Sequence, residues 1–562
     1  MYRTHNCGEL NIYDINKKVI LSGWIHKIRK MKKYYFIDLR DFYGITQLLI
    51  DKKKILKKIY NEYLIKIKGI VYKRKKKNKL IKTGNIEVYV YKFYIINKSK
   101  FLPFNIEDNP KVSKKIRLKY RYLDLRRNKI KNNLIKKFKI INFIRNFFIN
   151  KKFIELDTPF LVNNTLEGAR NFIIPSRNYK GFFYSLPQSP QIFKQLLMIS
   201  GFDKYFQIVK CFRDEDLRKD RQPEFTQLDI EMSFVKKKNI ILIIEKFIKS
   251  LIKKFYFQKK IKFKKISYTK IVKYYKTDKP DLRYKLYNIK LKKKYFKKKY
   301  KKLYKKIFIL PNFLNIKNIK INKIKSIINL FLKNYNFFYF FYKKNKKKIF
   351  KKKKYIKNII NKYFFSEYDI IIILLYKKKI KFNYKLFIKK INKFLLYSIY
   401  IKNILIPIWI INYPLFKYDF IKKKYNSFHH PFTAPVSKKK NILYNNKSKA
   451  YDLIINGIEI GSGSIRINKK KIQEKIFNLL KIKKKDIYKK FGFFLESLEY
   501  GTPPHGGIGI GIERLILLIL NKNDIKDLIP FPKSLNNKDI MLNTPSKISH
   551  KELLKLGIKI IK

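Results

Sequence analysis

Apolar and polar residues alternate through much of the first hundred positions, and after about residue 130 the apolar spacing changes to three or four residues. Alternation puts every second side chain on one face of a strand, whereas the wider spacing draws a stripe along a helix. Val19-Ile20-Leu21-Ser22-Gly23-Trp24-Ile25 reads as one strand. Tyr35-Phe36-Ile37-Asp38-Leu39-Arg40 and Ile45-Thr46-Gln47-Leu48-Leu49-Ile50 flank a turn at Gly44, which is hairpin spacing. Several short strands in about a hundred residues predict a small barrel such as the OB-fold, a common binder of single-stranded nucleic acid. A basic, Pro-containing connector follows, from about Phe101 to Arg127.

Residues 131–150 have helical period, with Leu134, Phe138, Ile141, Ile144 and Phe148 expected on the buried face. Pro159 then sits in an extended stretch, Leu156 to Leu161. Most of the distinctive polar clusters fall in residues 183–235. From about 236 to 405 the chain becomes rich in Lys, Ile, Tyr and Phe, with runs such as Lys292-Lys293-Lys294 and Lys351-Lys352-Lys353-Lys354. Informative residues return at Trp409-Ile410-Ile411-Asn412-Tyr413-Pro414 and continue to Lys533. One domain split by an insertion explains this better than two unrelated domains. Apolar runs such as Tyr368 to Leu375 predict that the insertion folds, and its lack of distinctive polar clusters predicts that it is peripheral to catalysis. No internal repeat is visible.

Composition adds a large positive charge. Lys and Arg number 136 against 38 Asp and Glu, a formal net charge of +98. Such a charge suits a polyanionic partner such as nucleic acid. The excess is nearly all Lys and travels with Ile, Asn, Tyr and Phe, residues that share A/T-rich codons, so genome bias raises them together. Charge alone therefore identifies no function. At 46% hydrophobic residues, the chain can bury a large core. Its two cysteines, Cys7 and Cys211, are too few for a disulfide framework or a four-Cys zinc site and are expected to be reduced. No apolar run approaches the roughly 18 residues of a membrane span, and the N-terminus has no apolar signal region. A cytoplasmic protein without membrane association is expected.

Three clusters carry candidate chemistry. In Cys211-Phe212-Arg213-Asp214-Glu215-Asp216-Leu217-Arg218, followed by Asp220 to Gln227, acids and bases alternate densely; Arg213 could grip a phosphate, or the segment could be a salt-bridged loop. In Gly507-Ile508-Gly509-Ile510-Gly511-Ile512-Glu513-Arg514, Gly alternates with Ile at strand period, unlike the dinucleotide fingerprint. Three glycines on one strand face leave room for a flat ligand, and Arg514 at the strand end could stack on it. In Tyr451 to Arg466, Asp452 and Glu459 are two carboxylates within one hairpin-like stretch; Mg²⁺ bound with ATP takes one or two carboxylates plus phosphate oxygens.

Together these clusters resemble motifs 2 and 3 of the class II aminoacyl-tRNA synthetases, with the helix and the Pro159 stretch as motif 1. Gln188-Ser189-Pro190-Gln191-Ile192-Phe193-Lys194, Glu167-Gly168-Ala169-Arg170, Phe428-His429-His430-Pro431-Phe432-Thr433, Gly501-Thr502-Pro503-Pro504-His505-Gly506-Gly507 and Arg121-Tyr122-Leu123-Asp124-Leu125-Arg126-Arg127 are similar to the aspartyl enzymes of bacteria. The resemblance runs over residues 1–235 and 405–535 and is weak across the insertion.

It implies an α+β architecture. An OB-fold anticodon-binding barrel would span 1–100 and a connector 101–130. The catalytic domain, an antiparallel sheet flanked by helices, would occupy 131–279 and 406–562 around an inserted α/β domain at 280–405. The implied activity loads L-aspartate onto tRNA-Asp with ATP and Mg²⁺, in a homodimer. By resemblance, the catalytic residues are Arg213, Glu215 and Arg514. The ATP site adds Asp214, Gln222, Phe225, Glu459, Gly511, Ile512 and Glu513, with Phe225 and Arg514 sandwiching the adenine. The aspartate site takes Glu167, Gln191, Lys194, Arg213, Gln227, His429 and Arg466. Asp452 and Glu459 would hold the metal. Phe36 would stack on an anticodon base, with Arg29 and Gln47 as polar contacts, although Ile28 departs from the family's arginine run. The rivals are the asparaginyl and lysyl enzymes, a non-catalytic RNA-binding relative, and an aspartate-to-asparagine ligase. Against the first stands the pair Lys194 and Arg466: buried cations left without a carboxylate would be costly, so an anionic substrate side chain is expected.

Overall fold

The structure is a computed structural model that describes residues 1–54, 59–164, 168–217, 220–258, 260–275, 277–283, 404–421, 423–436, 444 and 446–561, together with four strand segments between 289 and 376. It divides into two compact units, Met1–Lys131 and Asn132–Lys562.

In the first unit, strands β1 (Lys18–Lys30), β2 (Tyr34–Arg40), β3 (Ile45–Asp51), β4 (Leu64–Lys73) and β5 (Ile86–Asn97) close a barrel in the order β1-β2-β3-β5-β4. Closure removes the exposed strand edges that an open five-stranded sheet would carry. Val19, Leu21, Ile37, Leu39, Ile65, Ile67, Val88 and Val90 alternate into the barrel and are almost wholly buried. Each contributes about 1.5–3 kcal/mol relative to exposure. The connector carries an ionic hub: Asp124, fully buried, pairs with Arg121 at 2.5 Å and with Arg127. The sequence run Arg121 to Arg127 is therefore explained by a buried carboxylate that needs cations around it.

The second unit is built on an eight-stranded sheet. Its strands are β6 (Ile154–Glu155), β9 (Lys204–Phe212), β10 (Glu224–Ser233), β11 (Lys264–Ser267), β16 (Pro407–Ile411), β19 (Ala450–Ile455), β20 (Ile458–Ile465) and β21 (His505–Gly511). The order is β11-β16-β19-β20-β21-β10-β9-β6, antiparallel within and parallel at each edge pairing. Small hairpins form from β7 (Ile173–Pro175) with β8 (Phe183–Ser185), and from β17 (Phe416–Asp419) with β18 (Lys424–Ser427). Within the expected insertion, β12 (Ile289–Lys290), β13 (Tyr304–Leu310), β14 (Asn336–Phe341) and β15 (Ile370–Tyr376) make one antiparallel sheet; apart from these strands and the two ends, 280–283 and 404–405, it lies outside the described residues.

One face of the large sheet is apolar. Leu228, Ile230, Ile508 and Ile510 point into the main core, where the helices Asn128–Ile149, Lys237–Phe255 and Ile512–Ile519 pack. The first of these helices departs from the expected face. Ile140, Ile144 and Phe148 are its buried stripe, while Phe138 is 66% exposed. Phe138 lies on a different side from Ile144, six residues on, because six residues overshoot a turn and a half of helix.

Candidate active site

The polar face of the same sheet is the floor of a cavity of about 430 Å³. On β10, Phe225, Gln227, Asp229 and Glu231 share one face because side chains alternate. Across from the last three, in register, stand Gly511, Gly509 and Gly507 of β21. Ser462 and Ser464 of β20 pair in turn with Gly509 and Gly507. The Gly–Ile alternation therefore does two jobs: the isoleucines enter the core and the glycines leave the floor open. The need is strictest at Gly507, where a Cβ would lie 1.9 Å from the Ile230 carbonyl oxygen and 2.2 Å from Glu231 Oε2.

At one end of the floor, four charges interlock. Lys194, carried on the helix Gln191–Ile199, places Nζ 3.0 Å from Asp229 Oδ1 and 3.3 Å from Glu231 Oε2. Arg466 donates to Glu231 from Nε at 2.9 Å and Nη2 at 3.2 Å, and from Nη1 to Ser464 Oγ at 2.8 Å. All four side chains are almost completely buried. Burial pushes the Glu231 carboxyl up, but Arg466 and Lys194 outweigh it and hold it below the usual carboxylate range. This corrects the argument from unpaired cations. Lys194 and Arg466 already have protein carboxylates, and the tetrad is formally neutral. Sequence reasoning passed over Asp229 and Glu231, although the signal was there: two acids at strand spacing behind Phe225 and Gln227, in an acid-poor chain. Asp229 Oδ2 and Gln191 Nε2 are buried and without a hydrogen-bond partner among the described residues.

His429 and His430 follow β18. Asp452 of β19 accepts from Tyr413 Oη at 2.7 Å and lies 3.3 Å from His429 Nε2. Burial lowers the pKa of His429, but the Asp452 carboxylate more than compensates and the net shift is upward. His430 is pushed down to about 3 by burial and by nearby Arg466 and Lys194, so it is neutral at pH 7.

At the other end, Arg213 follows β9, and its guanidinium lies 5.1 Å from the centre of the Phe225 ring. Its Nε is buried and without a hydrogen-bond partner, and it pairs with no carboxylate among the described residues. Phe225 thus meets Arg213; the expected sandwich would hold the adenine between Phe225 and Arg514. Arg514 is engaged elsewhere, with Nη2 3.3 Å from Asp220 and Nη1 3.4 Å from the Glu459 carbonyl. Glu215 pairs with Arg221. Glu459 lines the cavity and pairs with Lys279 Nζ at 2.5 Å.

The cavity brings together Gln191, Lys194, Arg213, Glu215, Gln222, Phe225, Gln227, His429, Glu459, Arg466, Gly511, Glu513 and Arg514 of the expected set. Asp214, Asp452 and Ile512 do not line it. Ile512 turns its side chain into the main core, because the helix it opens is buried there. Asp452 faces Tyr413 and His429 instead. Glu513 is a brace, accepting from Thr226 N at 2.9 Å and Lys137 Nζ at 2.8 Å. Gln222 likewise clamps the Lys533 main chain, at 2.7 Å to its nitrogen and 3.3 Å to its oxygen. Glu167 lies outside the described residues. Of the two carboxylates expected to hold a metal, only Glu459 lines the cavity, with one oxygen paired to Lys279; a single carboxylate together with phosphate oxygens is a donor set that Mg²⁺ accepts. No group of three or more candidate metal ligands occurs among the described residues.

In the barrel, Arg29, Phe36, Asp38 and Gln47 share one face by register. Arg29 clasps Asp38 through two nitrogens at 2.8 and 2.7 Å. Phe36 is half-buried and outside the barrel core. Gln47, expected to offer its amide to RNA, is buried with both ends engaged. Its oxygen accepts from Arg29 at 3.0 Å and its nitrogen donates to Glu87 at 2.7 Å.

Comparisons with known proteins agree with this geometry. Residues 113–535 match the model for tRNA synthetases class II (D, K and N), and residues 19–96 match the OB-fold nucleic acid binding domain. The chain is 43% identical to the aspartate–tRNA ligase of Buchnera aphidicola subsp. Schizaphis graminum, covering all of both. It is also 43% identical to the aspartate–tRNA(Asp/Asn) ligase of Dictyoglomus turgidum, over all of this chain and 98% of that one. Among solved structures, asparaginyl-tRNA synthetase from Pyrococcus horikoshii complexed with asparaginyl-adenylate superposes with a TM-score of 0.59 at 18% identity, covering 95% of this chain and 99% of that one. At that identity the likeness speaks for the fold. With three-quarters of its length on the family model and full-length relatives above 40% identity, the chain belongs to the class II tRNA synthetases of the D, K and N group.

Proposed function

We propose that this chain is an aspartate–tRNA ligase, which joins aspartate to ATP as aspartyl-adenylate and then passes it to the 3′-terminal ribose of tRNA-Asp. One observation carries the substrate reading: a buried tetrad, Lys194–Asp229–Glu231–Arg466, in the same cavity as an Arg213 that pairs with no carboxylate among the described residues. L-aspartate presents one ammonium and two carboxylates. Asp229 Oδ2, a buried acceptor without a partner among the described residues, suits the ammonium. Lys194 and Arg466 suit the side-chain carboxylate, and Arg213 suits the α-carboxylate and the α-phosphate. A carboxamide in place of that side-chain carboxylate would bring no negative charge to Lys194 and Arg466, leaving them only the carboxylates of Asp229 and Glu231 that they already share.

The chemistry needs no protein nucleophile. The substrate carboxylate attacks the α-phosphorus, so the site supplies orientation and charge stabilisation. Phe225 offers a ring face to the base, and Arg514 becomes available to it when Asp220 lets go. Mg²⁺, held at Glu459 with the phosphates, would neutralise the growing charge; Asp452 orients His429 and contributes to the site through it.

The barrel binds the anticodon through Phe36 and Arg29, with Gln47 bracing Arg29 rather than reaching RNA. A homodimer is supported by apolar side chains left exposed around the first catalytic helix: Phe138, Phe160 and Leu161 are 66%, 45% and 55% exposed. No described helix is long and apolar enough to cross a membrane, and the enzyme works in the cytoplasm.

The test is amino-acid-dependent exchange of pyrophosphate into ATP with each of the twenty amino acids. Aspartate alone should support it. Equal exchange with asparagine or lysine would overturn the assignment.

A further inference from the structure

Lys279 belongs to no element of the catalytic reading above, yet its ammonium enters the cavity. Its Nζ stands 2.5 Å from Glu459 Oε2, and both residues line the cavity with Arg213 and Arg514. The backbone behind it is firmly held. Lys279 N donates to Thr277 Oγ1 at 3.1 Å, and Asp281 clasps Arg283. Leu282 packs against the cluster of Ile408, Ile410 and Ile454. The two-residue turn Asn456-Gly457, both at positive φ, backs onto the segment: a Cβ at Gly457 would lie 3.3 Å from Asp281 Cβ and 3.6 Å from the Lys279 carbonyl oxygen. A fixed backbone with a flexible four-carbon stem lets the charge move while its origin stays put.

The ion pair itself is weak. Lys279 and Glu459 are 37% and 28% exposed, and ion pairs this open to solvent contribute little to stability. A polyphosphate carries several negative charges and displaces a single carboxylate at comparable solvation. Lys279 meets Glu459 of β20 and Arg213 follows β9, three places along the sheet, so the two cations line the cavity from different strands.

We propose that Lys279 is the residue that meets the pyrophosphate end of ATP, kept in place by Glu459 while the site is empty; this rests on reading the cavity as an ATP site. In the activation step a substrate carboxylate oxygen bonds to the α-phosphorus as the bond from that phosphorus to its bridging oxygen breaks. The electron pair stays on the bridging oxygen and leaves with pyrophosphate, and no proton moves. Lys279 puts its charge where negative charge grows.

The experiment compares wild type with Lys279→Met, Lys279→Gln and Lys279→Arg. In Lys279→Met the KM for ATP and for pyrophosphate in aspartate-dependent exchange should rise roughly ten- to a hundredfold, as expected for loss of a contact between charged groups. The KM for aspartate, and the transfer of aspartate from preformed adenylate to tRNA, should stay within about twofold. Lys279→Arg should recover most of the loss. Calorimetric binding of inorganic pyrophosphate, which needs no turnover, should weaken in parallel, and Lys279→Gln repeats the measurement with a neutral side chain that can still hydrogen-bond. Wild-type constants for ATP and pyrophosphate in Lys279→Met would overturn the proposal. So would a parallel rise in the aspartate KM, which would make Lys279 only a strut for Glu459. If wild type itself ran no aspartate-dependent exchange, the substrate assignment would fall, and the calorimetric comparison would still decide for or against Lys279.

Discussion

Arg466 makes three hydrogen bonds to the protein before any ligand arrives, two to Glu231 and one to Ser464. This changes what its replacement does. Arg466→Leu leaves Glu231 facing Lys194 alone in a buried setting, and breaking such a pair costs roughly 3–5 kcal/mol. The variant should therefore lose both aspartate activation, by orders of magnitude, and a large part of its stability. Arg466→Lys keeps the charge but not the fork, so it should fold and raise the KM for aspartate. Exchange kinetics with a thermal unfolding curve separate the two effects. Wild-type aspartate kinetics in Arg466→Lys would remove Arg466 from the substrate site. At this scale the sequence exposed Lys194, Arg213 and Arg466 through their local contexts. It could not expose their partners, because Lys194 is 35 residues from Asp229 and Arg466 is 235 from Glu231. Ion pairing is a matter of distance in space, and no local pattern records it.

The strand β21 shows how an element carries both packing and chemistry. Its glycines oppose Gln227, Asp229 and Glu231, and its isoleucines oppose Leu228 and Ile230. Gly507→Ala puts a methyl group within 2.2 Å of the Glu231 carboxylate and closer still to the Ile230 carbonyl. The neighbouring strand has to shift, at a cost of roughly 1–3 kcal/mol, and Glu231 is pushed off Arg466. Both the melting temperature and the aspartate-dependent exchange rate should fall. Gly492→Ala is the control: it lies in the helix Lys484–Ser497 with its nearest neighbour 3.8 Å away, so the change should be neutral or gain about 0.5–1 kcal/mol. If Gly507→Ala melted and exchanged like wild type, the close approach would not be a constraint. The strand period of this segment was legible from the Gly–Ile alternation. Which face held ligand and which held core was legible only in part, since the isoleucines pointed to one buried face and the glycines to an open one. The helix Asn128–Ile149 was less legible. So many of its positions are apolar that the burial of Ile140 and the exposure of Phe138 had to be decided by its neighbours.

For the molecule as a whole, the two compact units suggest separable tasks. Phe36→Ala should reduce tRNA charging while leaving pyrophosphate exchange unchanged, with a loss of about 1–3 kcal/mol for one stacked base. Measuring both reactions on the same preparation checks this, and a drop in exchange together with charging would refute it. The side chain is half-buried and outside the barrel core, so the variant is expected to fold. From the sequence alone came the alternation that makes a barrel, the family motifs around Arg213, Glu459 and Arg514, and the break in composition that marks the insertion. These are local features, written in consecutive residues. Tertiary structure decided the rest. It neutralised the two cations with Asp229 and Glu231, occupied both ends of Gln47, turned Ile512 into the core and Asp452 toward His429, and brought Lys279 onto Glu459, 180 positions away. In each case the deciding quantity is the electrostatic and steric company that a side chain keeps after folding, and that company comes from strands and loops far apart in the chain.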